Sequence, residues 1–526
     1  MARKPKDQPA LLTTPQRLAS VLKSARDTMR KDRGLSSDID RLPQLTWLMF
    51  LKFLDDMETE RKVAADLEGI RYHPLIEPPY RWRDWAHSAL TGDELTAFVN
   101  NDEAVGPDGK RDKGLLHYLK NLTATKEHDT REVIKNVFKD TVNRMVSGYL
   151  LRDVVNKVDE LHFASSEEIH TLGNLYESML QEMRNAAGDS GEFYTPRPVV
   201  KLMVKLTDPK LGETILDPAC GTGGFLSETF DHLQPQCKKA QDYDTLQRRS
   251  IFGQEAKPLP YLLAQMNLVL HGLEAPNIVY DNSLKEKLTE LGVESWVDVI
   301  LTNPPFGGVE EDSIKNNYPA DRRTPDTALL FLQVIMRRLR KTHSQSMVTK
   351  YLGVGRAAVV VPNGVLFGDG VAARIKHELL TDFNLHTIVR LPNGVFAPYT
   401  PIPTNLLFFD SSGPTKDVWF YEHHLPEGRK TYTKIHSLQD EEFIPILTWW
   451  NSRVENERAW KVTAKQLLDN GCNLDVKNPS AKDDFEHLPP EQLVESILTK
   501  ERQIVGLLED LRAELVPETG ANGACA

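Results

Sequence analysis

Asn303-Pro304-Pro305-Phe306 puts an amide, a stiff backbone and an aromatic ring into four consecutive residues. The two prolines fix the chain so that the Asn303 side-chain oxygen and the Pro304 carbonyl can converge on one donor group. The exocyclic amine of a base suits such a pair. Its nitrogen lone pair is delocalised into the ring, and two acceptors holding its hydrogens would help it turn toward a methyl sulfonium. The Phe306 ring then offers a face on which the base could stack. A bare turn of this kind could also be no more than a rigid strand end, but an upstream motif argues for chemistry: Asp217-Pro218-Ala219-Cys220-Gly221-Thr222-Gly223-Gly224. A strand ending at Asp217, a glycine-rich turn and a helix from about Gly224 bring backbone N–H groups and small residues against a ligand. Alone, that turn fits any nucleotide site or a tight strand-to-helix connection, and its spacing is not that of a phosphate-binding Walker loop. Glu255, closing the next strand, is either an ordinary surface glutamate or the acceptor for both hydroxyl hydrogens of a ribose; the glycine turn before it favours the second.

These residues need a frame. From Thr214 onward, short β-branched runs alternate with helical patterns: Thr214-Ile215-Leu216, Ser250-Ile251-Phe252, Asn277 to Tyr280, Val297 to Leu301, Ala357 to Val361 and Thr387-Ile388-Val389. Such alternation predicts βαβ units and a mainly parallel, doubly wound α/β sheet. A final run, Thr404 to Phe409, follows a Pro-rich turn and is expected to form a hairpin with the strand before it, giving about seven strands in all. Before this region the pattern is helical throughout, including the apolar Leu45 to Met57 and the stretches Gly114 to Leu122, Glu132 to Met145, Leu150 to Leu161 and Ile169 to Arg184. The expected division is a helical domain over 1–165, a catalytic domain over 166–410 and a C-terminal region over 411–526. That last region ends in a helix from about Pro490 to Leu515, where Leu493, Ile497, Ile504, Leu508, Leu511 and Leu515 recur as an apolar seam that either receives a partner helix or folds back on its own domain.

Composition narrows the class. The 526 residues carry a formal net charge of -11, the wrong sign for a surface that grips a polyanion everywhere, so any nucleic-acid contact is expected to be local or shared. Arg322-Arg323 and Arg337-Arg338-Leu339-Arg340-Lys341 are candidate basic clusters, though such runs are commonly solvated helix faces. No apolar run approaches a membrane span, no signal-peptide core follows the basic start, and four scattered cysteines suggest neither a disulfide framework nor a zinc site. A cytoplasmic protein is expected.

Three more segments occur in the same order as the motifs above: Glu192 to Arg197, Val361 to Phe367 and Asn473-Leu474-Asp475-Val476-Lys477-Asn478-Pro479. Together they resemble, over nearly the whole chain, the modification (M) subunit of type I restriction-modification systems, an amino-methyltransferase of DNA. The resemblance implies a Rossmann-like class I methyltransferase sheet with an N-terminal all-helical domain and a C-terminal helical extension. It implies that Glu192, Phe193, Tyr194, Thr195, Pro196, Arg197, Asp217, Ala219, Gly221, Thr222, Gly223, Gly224 and Glu255 surround S-adenosyl-L-methionine, with Asp281 near its adenine. Asn303, Pro304, Pro305 and Phe306 would then form the site of N6 methylation on a flipped adenine, by direct transfer without a covalent intermediate or a metal. The partners implied are double-stranded DNA, a specificity (S) subunit shared by two copies of this chain and, where a nuclease accompanies them, a restriction (R) subunit. Only 116 residues (526 minus 410) follow the last expected strand, fewer than the recognition domain of family enzymes that read DNA alone. One departure is a polar insert, Lys341 to Gly355, where the family usually has a short turn; it is expected to project near the DNA side. Rival readings are a methyltransferase of another planar amine, an RNA base or a protein glutamine, and a scaffold that binds the cofactor without catalysis.

Overall fold

In the computed structural model the described residues are 14–124, 130–163, 171–180, 195–306, 310–341, 354–396, 402–433, 436–480, 494 and 498–508. They belong to two compact units, Met1–Val476 and Lys477–Ala526. Among the described residues no helix is long and apolar enough to cross a membrane.

The first part of the larger unit is built on the helix Asp38–Glu68. Asp40, in its first turn, accepts the backbone N–H of Ser37, and Gly69 ends the helix in the left-handed region at φ 70°. The expected apolar stretch falls inside this helix, with Leu45, Trp47, Leu48, Met49 and Leu51 buried. Helices Leu115–Lys120 and Gly148–Asp159 fall where two others were expected, the helix expected over Glu132 to Met145 ends early, at Lys139 (Thr130–Lys139), and residues 171–180 are helical. The region is not purely helical. A small hairpin, β1 (Glu103–Val105) with β2 (Arg111–Lys113), turns through Gly106-Pro107-Asp108-Gly109, where turn residues interrupt the helical pattern.

The main sheet has nine strands: β3 (Ile215–Asp217), β4 (Ile251–Glu255), β5 (Asn277–Tyr280), β6 (Val299–Thr302), β7 (Arg356–Pro362), β8 (Asn384–Arg390), β9 (Thr404–Asp410), β10 (Asp417–Glu422) and β11 (Ala459–Thr463). Their spatial order is β11-β10-β8-β9-β7-β6-β3-β4-β5. Strands β5, β4, β3, β6 and β7 run parallel, whereas β9 lies antiparallel to both β7 and β8. The expected seven are all present, and β9 does pair with the strand before it. The two additional strands lie beyond residue 410, where alternation was obscured because aromatic residues occupy both faces of β10: Val418 and Phe420 are buried, and Phe420 stacks on Trp460 of β11 at 5.4 Å.

The strand order reverses between β3 and β6, which run parallel, so the crevice at their carboxyl ends is where a doubly wound sheet binds ligands. At the opposite edge an ion pair with a buried carboxylate and a partly exposed arginine anchors the approach to β3. Arg356, the first residue of β7, grips Glu213 with two bonds of 2.8 Å and also donates to the carbonyls of Thr207 and Asp208. The polar insert begins at this same amino edge: Gly355 donates to the Arg340 carbonyl, so its two ends meet beside the start of β7. Residues 342–353, on which the expected projection of the insert depends, lie outside the described residues.

The Arg356 pair gives a stability test. Arg356→Met leaves the buried Glu213 carboxylate and two carbonyls without their donor, and should lower unfolding stability by about 3 to 5 kcal/mol. Denaturant titration checks this; a loss below about 1 kcal/mol would show that the pair does not hold β3 to β7.

Candidate active site

The turn after β3 is shaped by what it must leave open. Gly221 and Gly223 have φ of 55° and 78°, which side chains rarely adopt, and Gly223 precedes the helix Gly224–Leu233. A Cβ at Gly224 would lie 2.6 Å from the Arg197 guanidinium, so glycine there admits an arginine arriving from another helix. Arg197 starts the helix Arg197–Thr207 and is held by both carboxylate oxygens of Glu177 in the helical region.

Glu255 closes β4 and is buried. Its two oxygens accept the backbone N–H groups of Gly221, at 2.9 Å, and Lys257, at 2.8 Å. Burial pushes its carboxyl above the usual range, and these N–H groups oppose the shift. Asp217 is buried deeper still: burial pushes it up to about 7, against the pull of the Thr302 hydroxyl at 2.7 Å and the Ala219 N–H. At the end of β5, burial pushes the Asp281 carboxyl up, but the Lys285 ammonium at 2.6 Å and the Asn282 N–H outweigh it and hold the group below its ordinary value. Burial and the neighbouring Glu311 raise the half-buried Glu310. Asp217, Glu255, Asp281 and Glu310 all line one cavity of about 1160 Å³, its open mouth included. Four carboxyl groups around an enclosed space favour a ligand carrying positive charge and hydroxyl donors.

Asn303 stands where β6 ends. Its Nδ2 donates to the Thr195 hydroxyl at 3.0 Å, while its Oδ1 is buried with no hydrogen-bond partner among the described residues. A buried acceptor left unpaired costs about 1 to 3 kcal/mol, which a ligand's N–H would recover. Pro304 is buried behind it, and Phe306 is half-buried, edge-on to Phe396 at 6.3 Å.

The sheet edge thus gathers most of the residues singled out in the sequence. Thr195, Arg197, Asp217, Ala219, Gly221, Thr222, Gly224, Glu255, Asp281, Asn303 and Pro305 all line the cavity. Pro196 caps the adjoining helix, Gly223 packs on Ala264, and Pro304 and Phe306 lie outside the cavity lining. Glu192, Phe193 and Tyr194 lie outside the described residues. Sequence reading missed Asn282, Ser283, Thr327 and Phe331. The first two simply continue past Asp281, and Ser283 ties the lining together by donating to the Pro218 carbonyl at 2.6 Å. Thr327 opens the helix Thr327–Arg338 after an irregular stretch whose path no periodicity signals, and its hydroxyl is buried without a partner among the described residues.

With this geometry in hand, the chain can be set beside known proteins. Residues 167–487 match the N-6 DNA methylase family, and residues 18–158 match the HsdM N-terminal domain. The chain is 46% identical over 524 residues to the type I restriction enzyme EcoEI methylase subunit of Escherichia coli, covering 96% of this chain and 100% of that one. It is 30% identical to the StySPI methylase subunit of Salmonella potsdam over 70% of this chain and 71% of the relative. A solved modification subunit of a putative type I restriction enzyme from Vibrio vulnificus shares 58% identity at a TM-score of 0.80, over 92% of this chain and all of that one. The turn after β3, the acid-lined crevice and Asn-Pro-Pro-Phe sit together on this doubly wound sheet, and the chain belongs to the N-6 DNA methylase family, among the methylase subunits of type I restriction enzymes.

Proposed function

We propose that this chain methylates N6 of adenine in double-stranded DNA, as the modification subunit of a type I restriction-modification complex. The observation that carries the reading is the buried Asn303 Oδ1, which has no hydrogen-bond partner among the described residues, at the rim of an acid-lined cavity. Asn303 accepts one hydrogen of the target amine, and the carbonyl of Pro304 accepts the other. With both N–H bonds engaged, the nitrogen lone pair is turned out of conjugation. Phe306, braced by Phe396, supplies the face on which an extruded base stacks, a contact of about 1 to 3 kcal/mol.

The cavity fits S-adenosyl-L-methionine, which supplies the methyl group as an electrophile on sulfur. Glu255 takes the ribose hydroxyls with the lone pairs that Gly221 and Lys257 leave free, and Asp281 faces the adenine. Thr222 and Gly224 bound the methionine end with Thr195 and Arg197, and Glu192, Phe193, Tyr194 and Pro196 belong to the same segment. Asp217 and the other carboxyl groups attract the sulfonium charge. A scaffold without catalysis would have no use for an amide acceptor kept buried and, among the described residues, unpaired.

Sequence choice is assigned to a specificity subunit that joins two copies of this chain, with a restriction subunit as a further partner, in the cytoplasm. Support comes from the relatives, which are named as subunits, and from a 37% identical chain with TM-score 0.77, solved in a study of complex assembly in the type I R-M system. The smaller unit supplies a candidate contact. Residues 498–508 are helical and expose Leu498, Ile504, Val505, Leu507 and Leu508, while Leu493, Ile497, Leu511 and Leu515 of the expected seam lie outside the described residues.

Three measurements test this reading. Methylome sequencing of cells expressing the complex should find N6-methyladenine at one sequence and lose it with Asn303→Ala, whereas calorimetry should find cofactor affinity changed less than about threefold. Equal loss of both would place Asn303 in the cofactor site instead. Second, Asp217 is protonated below about pH 7, and a cation in the cavity favours its carboxylate. Binding of S-adenosylmethionine between about pH 5 and 7 should therefore release protons, seen as a dependence of calorimetric heat on buffer ionisation. S-adenosylhomocysteine should release fewer, and Asp217→Asn should remove much of the effect; release unchanged in that variant would exclude Asp217 as its source. Third, the chain purified alone should methylate no preferred sequence until a specificity subunit is added, and sequence-specific methylation by the lone chain would overturn the assembly.

A further inference from the structure

We propose that Thr195 is a positioning residue for methyl transfer: its hydroxyl accepts from Asn303 Nδ2 and thereby holds the amide with Oδ1 toward the target amine. The inference rests on the reading of Asn303 given above. The segment Glu192 to Arg197 enters the sequence argument as cofactor-facing, and nothing in that argument links it to Asn303, 108 residues away. In the folded chain the two side chains meet at 3.0 Å, on a cavity wall that both line.

The chemistry of an amide makes this contact decisive. Its two ends have nearly the same shape and opposite hydrogen-bonding sense. With Oδ1 inward, Asn303 offers a lone pair to an amine that brings only N–H groups. Turned over, it would set N–H against N–H, and the lone pair of the amine would stay conjugated with the base. The prolines at 304 and 305 hold the backbone but are indifferent to which end of the amide faces in. Among the described residues, Oδ1 has no hydrogen-bond partner to pin it. Nδ2 does, and Thr195 is that partner. A hydroxyl suits the task because it can accept from Nδ2 and still use its own hydrogen elsewhere, whereas valine, of the same shape, can do neither.

The roles separate by experiment. In the complex that methylates duplex DNA, Thr195→Val should lower kcat by about tenfold or more, the scale of one lost orienting bond in the transition state. KM for DNA should stay within about threefold, and although Thr195 also borders the methionine end of the cofactor site, calorimetric affinity of the purified chain for S-adenosylmethionine should fall well short of the loss in kcat. Thr195→Ser, which restores the hydroxyl alone, should recover most of kcat. Should the valine variant fail to fold, Thr195→Ala carries the same comparison. The proposal is overturned if Thr195→Val keeps wild-type kcat, if cofactor affinity falls in step with kcat, or if serine is as poor as valine. A wild-type complex that methylates no adenine would instead bring down the reading of Asn303 itself, and this role with it.

Discussion

A single carboxylate, that of Glu255, organises the ligand side of the sheet. One oxygen holds the turn after β3 through the Gly221 N–H, and the other holds the start of the helix after β4 through the Lys257 N–H. Two strand ends that would otherwise splay are tied at one point, and the glycine-rich turn keeps a fixed opening. Burying a carboxylate is costly unless its lone pairs find donors, and here the backbone provides them. The same group retains acceptor capacity facing the cavity, so the residue that shapes the site is also equipped to bind within it.

The helical region contributes more than bulk to this arrangement. Glu177 holds Arg197 beside the glycine turn, and Asp140 accepts the Tyr280 hydroxyl at 2.6 Å, one residue before Asp281. Lys139 lies 5.5 Å from the Tyr280 ring centre, and the Thr46 and Tyr176 hydroxyls meet at 3.0 Å inside the helical packing. Residues at both ends of the cavity are therefore fixed by partners from outside the doubly wound sheet. The helical region thus braces the walls of the site from behind: among the described residues before Thr195 none lines the cavity, yet Glu177 holds Arg197 and Asp140 holds the residue before Asp281.

How much of this was legible depended on the range of the interaction. The central parallel strands announced themselves because they are buried on both faces and read as apolar runs: Val299 to Thr302 is buried throughout. Asp217, the glycines and Glu255 were legible because strand ends are marked by local turn chemistry. Two strands were missed where Trp419, Tyr421 and Trp460 blurred the alternation. The Thr195–Asn303 bond was illegible for a stronger reason. It joins segments whose spacing along the chain carries no information about their separation in space.

The place of β9 bears on how the protein is made. Strands β7 and β8 are not neighbours; the gap between them is filled by residues 404–410, antiparallel to both. During synthesis from the N-terminus, β7 emerges with one edge unsatisfied, and β8 follows with no partner already in place. Neither ladder can close until β9 leaves the ribosome. Until then the nascent chain carries open strand edges made of apolar residues such as Val359, Val360 and Ile388, the kind of surface that recruits other chains. Closure of the sheet is thus a late, non-local event, and the yield of folded enzyme depends on protecting those edges for the time needed to translate about fifty residues.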